Sequence, residues 1–187
     1  MHNITTITKM ALKGQDYRDW YRWAKSDIAK ACKQLGCCPQ RFSDIMALTS
    51  PRASVTRNVR WTIMLMGSPN VKPHDMMHNI WASVQHYYRT GEIRGPKTGP
   101  FARALKGDLS AIPLDVWMAR ALGVEHTKLA TKQVREPAQA LIKRVADRLG
   151  WPPAEVQAAV WATAARAGGR RPPTVSVFDS LTLWSVA

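Results

Sequence analysis

Two residues of this chain have types and a spacing that can do chemistry together. Lys97 stands in Gly95-Pro-Lys-Thr-Gly99, and Asp115 follows eighteen residues later in Ile112-Pro-Leu-Asp-Val-Trp117. A neutral primary amine attacks electrophilic carbon and forms a Schiff base. A carboxylate stabilises developing positive charge or carries protons. Both residues fall where a helix is expected to begin. The turn ahead of Lys97 holds Gly91 and Gly95, with Gly99 just beyond, so backbone can approach a ligand closely. A helix that follows a turn aims its first N–H groups, and the positive end of its dipole, at a phosphate. Arg94, Lys97 and Thr98 add charge and a hydroxyl, so the turn reads as an anchor on a nucleic-acid strand. The residues alone leave plainer alternatives open. Lys97 serves equally as a phosphate contact or as a nucleophile, and Asp115 precedes Val-Trp-Met-Ala-Arg-Ala as an ordinary N-cap does.

The elements that must carry these groups read as helices separated by Gly and Pro, with few strand signals. Residues 16–35 form one helix, with Asp16 as its cap and Gly36 as its stop; Tyr17, Trp20, Tyr21, Ala24, Ile28 and Ala31 line its apolar face. A short helix at 41–48 ends before Pro51. The next, 54–66, is capped by Ser54 and ends in Trp61-Thr-Ile-Met-Leu-Met, which predicts a central helix buried all round. Helices are further expected at 74–89, from Lys97 to about Leu105, from Val116 to Leu122, over 137–149, and from Pro153 to about Ala167. Residues 125–135 fit either a short helix or a loop. The chain shows no internal repeat.

Composition narrows the classes of partner. The chain of 187 residues carries 27 Lys and Arg against 13 Asp and Glu, a formal charge of +14. That excess points to a polyanion, most simply nucleic acid. At 45% hydrophobic the chain can bury a core as one domain or as two small lobes. The three cysteines, Cys32, Cys37 and Cys38, are too few for a four-thiolate cluster and too irregular for a disulfide framework. Without an apolar run of membrane length or the pattern of a signal peptide, a cytoplasmic protein is expected.

The stretch from Gly91 to Gly123 resembles the helix-hairpin-helix DNA glycosylases, the superfamily of endonuclease III. The lyase members of that family carry Gly-x-Lys-Thr in the hairpin and a catalytic aspartate eighteen residues on. Here the same separation joins Gly95-Pro96-Lys97-Thr98 to Leu114-Asp115-Val116. Upstream, Leu48-Thr-Ser-Pro-Arg-Ala-Ser-Val-Thr56 is similar to the family's Leu-Ser-x-Gln-x-Thr stretch. The hairpin reads Gly91-Glu-Ile-Arg-Gly95 where the family has Leu-Pro-Gly-Val-Gly, and Trp117 replaces a histidine. The iron–sulfur loop is missing, in keeping with the cysteine count.

The resemblance implies an all-α, two-lobed fold with a DNA cleft between the lobes. Lobe one would comprise about 1–40 and 137–187, and the hairpin lobe about 41–136. It implies a monomer on double-stranded DNA, with no cofactor and no metal, in the cytoplasm, at the nucleoid or in a phage-infected cell. The target nucleotide would be flipped out of the duplex. Asp115 would stabilise charge at C1′, and Lys97 would attack C1′ and cleave the strand. Gly91, Arg94, Gly95, Thr98 and Gly99 would hold phosphate. Arg52 stands near the position that wedges into the gap left by the flipped base, and Arg170 and Arg171 make a basic arm. Trp117, Gln157 and Trp161 are pocket candidates, and Trp151 is another by position. Trp20, Trp23, Trp61 and Trp81 are expected in the core, as is Trp161 from its apolar helical face. His74 and His78 at helical spacing lack a third metal ligand. Two alternatives use the same residues: a phage enzyme that modifies a base without breaking its bond to the sugar, and a non-catalytic DNA clamp.

Overall fold

The structure is a computed structural model that describes residues 1–169. The basic arm at Arg170 and Arg171 lies outside the described residues. Among these residues there are nine α-helices and no strand, so the protein is all-α. The helices fall into two compact units: one from residues 1–22 and 107–169, the other from residues 23–106.

The first unit is built from α1 (Ile4–Lys13), α7 (Val116–Leu122), α8 (Lys132–Leu149) and α9 (Pro153–Ala167). Its centre is α9, buried almost all the way round from Ala154 to Ala165. Small alanine side chains let the other helices approach closely. Ile7, Met118, Leu122, Leu141, Ile142 and Val145 pack with Val156, Ala159 and Val160 into one core. Gly14, at the end of α1, shows how close the approach is. A Cβ there would lie 2.1 Å from the Ala159 carbonyl oxygen.

Several boundaries differ from the sequence reading, each for a local reason. Helix α1 was not expected, although Asn3 caps it by accepting from the Thr6 N–H at 2.9 Å, and Ile7 and Ala11 bury its inner face. Asp16 does not cap a helix. It lies in a 3₁₀ turn, Gln15–Tyr17, and pairs with Arg166 at 2.6 Å. Helix α8 starts five residues ahead of Pro137 and runs through it, because Val134 already packs on the core and one lost backbone hydrogen bond is tolerated near a helix start. Residues 126–130 form a 3₁₀ turn before it.

The second unit takes most of α2 (Trp20–Leu35) together with α3 (Pro39–Thr49), α4 (Val55–Gly67), α5 (His78–Thr90) and α6 (Thr98–Leu105). Ile45, Leu48, Trp61, Leu65, Met76, Ile80 and Val84 form its core. Helix α4 is one-sided rather than buried all round: Asn58, Val59, Trp61, Thr62 and Leu65 face inward, while Met64 is 39% exposed. Trp23, expected in the core, is also exposed. Asp44 on α3 ties the unit together, accepting from Lys106 Nζ at 2.7 Å and from the Tyr87 hydroxyl at 3.0 Å. Burial, and then Asp44, push the Tyr87 phenol up to about 12.

The units divide at residues 22/23 and 106/107. The reason is α7. Ile112, Leu114, Met118 and Leu122 belong to the α9 core, so the segment carrying Asp115 packs with α1, α8 and α9.

Candidate functional site

In the first unit, Asp115 opens α7 with its side chain folded back over the first turn. Its Oδ1 accepts from the Trp117 N–H and the Met118 N–H, both at 2.9 Å. Its Oδ2 accepts from the indole Nε1–H of Trp161 at 3.0 Å. A carboxylate offers about four lone-pair directions. Three of them are filled from described residues, which leaves one on Oδ2 for a reacting group. Asp115 is half-buried, and Trp161 is anchored against the core. The capping contacts therefore occupy Oδ1, while Oδ2 meets the indole and is only partly engaged.

Beside it, Tyr21 is buried and donates to Gln157 Oε1 at 2.8 Å, which fixes the orientation of the Gln157 amide. Burial holds the Tyr21 phenol well above its ordinary range, and the negative charge of Asp115 adds to the effect. Gln157 and Trp161 lie one turn apart on α9, so this helix carries both a partner of Asp115 and the amide next to it. One further residue braces the start of α9. Glu155, 1% exposed, accepts from Arg22 Nη2 at 2.7 Å and from Arg18 Nε at 3.1 Å. Arg18 in turn lies 4.8 Å from the Trp151 ring centroid. The Trp117 ring packs between the Arg120 guanidinium, 4.4 Å from its centroid, and Gly168, where a Cβ would lie 2.3 Å from the ring.

In the second unit, α5 ends at Gly91, with φ +72°, and its N–H donates to the Tyr87 carbonyl. Ile93 packs the following turn onto the unit's core. Gly95 has φ +115°, which an L side chain rarely adopts, and a Cβ there would lie 2.8 Å from Thr98 Oγ1. The Thr98 hydroxyl donates to the Arg94 carbonyl at 2.6 Å, and Gly99 N–H to the Gly95 carbonyl at 3.4 Å. Arg94 is exposed, with Glu92 3.4 Å away. Lys97 stands at the N-cap of α6, half-buried. Its Nζ donates to Ser50 Oγ at 3.0 Å and lies 5.8 Å from the Phe101 ring centroid. Ser50 Oγ has its own proton on the Ala47 carbonyl, so it is set to accept.

That contact brings the hairpin to the turn that carries Arg52. The turn is clamped from below by buried Thr49, which donates to Asn58 Oδ1 across the α3–α4 connection, with Thr62 3.3 Å away. Arg52 has φ +57°, in contrast to every other described non-glycine residue. A long side chain held exposed in the left-handed region costs free energy that the surrounding clamp must offset, and such strain clusters at functional positions. His78 opens α5 and His74 lies ahead of it in a loop, so the two do not share a helical face. No group of three or more potential metal ligands occurs among the described residues.

The structure thus gathers Asp115, Trp161, Gln157 and Tyr21 in one unit, and Lys97, Arg94, Gly95, Thr98 and Arg52 in the other. Ser50, Tyr21 and Glu155 were missed by the sequence reading; only their contacts across distant helices reveal them. A family model matches residues 1–168, taking in both units and every one of these side chains. The chain belongs to the family of unknown function DUF7178. Arg170 and Arg171 fall beyond the span shared with DUF7178. No curated protein and no solved structure matches the chain. No helix among the described residues is long and apolar enough to cross a membrane.

Proposed function

We propose that this DUF7178 protein is a DNA glycosylase of helix-hairpin-helix type, acting on double-stranded DNA as a monomer in the cytoplasm. The observation that carries the reading is the Asp115 carboxylate. Three N–H donors orient it, one lone-pair direction is left, and it lies eighteen residues beyond a lysine at a glycine hairpin. The charge of +14, the strained Arg52 and the Lys97–Ser50 contact support it. The reading includes a target nucleotide flipped out of the duplex, which exposes its sugar to chemistry.

The chemistry balances without a cofactor. As the bond between C1′ and the base breaks, the base leaves with the electron pair and takes up a proton. Asp115 stabilises the positive charge that develops on the sugar. The neutral amine of Lys97 forms the new bond to C1′, and the ring opens with a proton delivered to O4′. Loss of a 2′ proton expels the 3′ phosphate and cleaves the strand, and water then releases Lys97 from the imine.

Borohydride trapping on a duplex containing one abasic site tests this. The expected result is a covalent protein–DNA adduct that is lost in Lys97→Ala. An adduct that persists in Lys97→Ala, or none with the wild-type protein, contradicts the lyase assignment.

A further inference from the structure

We infer that Trp161 is a positioning residue for Asp115, an inference that rests on the glycosylase reading and deepens it. Capping alone fixes only one carboxylate oxygen. With only Oδ1 bonded, by the two backbone N–H groups of α7, the carboxylate still librates about its Cβ–Cγ bond and carries both oxygens with it. The indole Nε1–H at 3.0 Å removes that freedom. It comes from a different helix, α9, whose face around Trp161 is part of the buried core of the same unit. The donor is therefore set by packing rather than by a mobile side chain. An indole N–H donates and never accepts, so Trp161 does not compete for a proton that Asp115 receives. One Oδ2 lone pair remains, and its direction is dictated by Trp161. Gln157, one turn earlier on α9, and Tyr21 of α2, which bonds to it at 2.8 Å, lie beside it.

A group that holds a catalytic carboxylate in place contributes to turnover and not to DNA binding. Trp161→Phe keeps an aromatic ring against the core and removes the donor. On a duplex with one abasic site, where Asp115 takes the 2′ proton whose loss expels the 3′ phosphate, we expect kcat to fall roughly 10- to 100-fold, as for loss of one hydrogen bond to a charged group, with KM unchanged. In Asp115→Asn, the further change Trp161→Phe adds no loss, because the two act as a unit. A second measurement does not depend on activity. In the ¹⁵N–¹H spectrum of the wild-type protein, the Trp161 indole resonance, assigned by its loss in Trp161→Phe, is expected to move upfield in Asp115→Asn.

The inference is overturned by a wild-type kcat in a folded Trp161→Phe protein, by a loss that appears in KM alone, or by an indole resonance indifferent to Asp115→Asn. Wild-type protein without activity on the abasic duplex overturns the lyase reading and the catalytic side of the inference with it. The indole resonance separates that failure from a missing hydrogen bond.

Discussion

Asp115 is both a helix cap and the proposed catalytic group, and substitutions can separate the two duties. Asparagine keeps an oxygen for the Trp117 and Met118 N–H groups, while alanine does not. Asp115→Ala is expected to be less stable than Asp115→Asn by about 1 kcal/mol in denaturant titration, the usual worth of a cap. Base release should be lost in both. Arg52 gives the opposite trade. Its φ of +57° costs an arginine roughly 1 kcal/mol, so Arg52→Gly should gain stability of that order and lose activity on duplex DNA. Asp75 supplies a pH test unrelated to the site. The Trp61 indole N–H at 2.7 Å, with Arg57 and Arg60 adding, holds its carboxyl below the usual range against the opposing effect of burial. Its contribution is present above the unfolded pKa of about 4 and is lost as pH falls through the lower folded value. Acid unfolding followed by circular dichroism should be shallower below about pH 4 in Asp75→Asn.

At the level of elements, the strongest periodicities were legible and the exceptions were tertiary. Ser54 caps α4, Gly123 stops α7 and Pro153 opens α9 where the sequence places them. The run Trp61-Thr-Ile-Met-Leu-Met looked buried all round, yet α4 buries one face, and the alanine-rich α9 takes the central place instead. Alanines carry little hydrophobic signal; their value is the close approach they permit. Gly14 makes the same point, since nothing local demands glycine there. Gly14→Ala should cost about 1–3 kcal/mol, the usual penalty for overpacking. Asp44 anchors Lys106 and Tyr87, and these in turn hold the ends of the hairpin. Asp44→Ala should cost about 1–2 kcal/mol, because it removes the hydrogen bonds that the buried carboxylate accepts from Tyr87 and Lys106.

For the whole molecule, charge and the Lys97–Asp115 spacing were visible in the sequence, because both are local counts. The division into units was not. Eighteen residues separate the two groups in sequence, yet the chain changes units at 106/107, between them, because α7 finds its hydrophobic partner in α9. The contacts that hold the two groups, Trp161 to Asp115 and Ser50 to Lys97, join residues 46 and 47 positions apart, and no periodicity encodes them. A net charge of +14 should make binding to duplex DNA steeply dependent on salt, with log affinity falling linearly against log salt concentration in a fluorescence titration. The most direct test of the central claim is mass spectrometry of what the protein releases from a panel of natural and modified double-stranded DNAs. The account predicts one kind of free base from a susceptible DNA with the wild-type protein, and none with Asp115→Asn. Equal release by Asp115→Asn, or altered bases that stay bonded to their sugars, would contradict it.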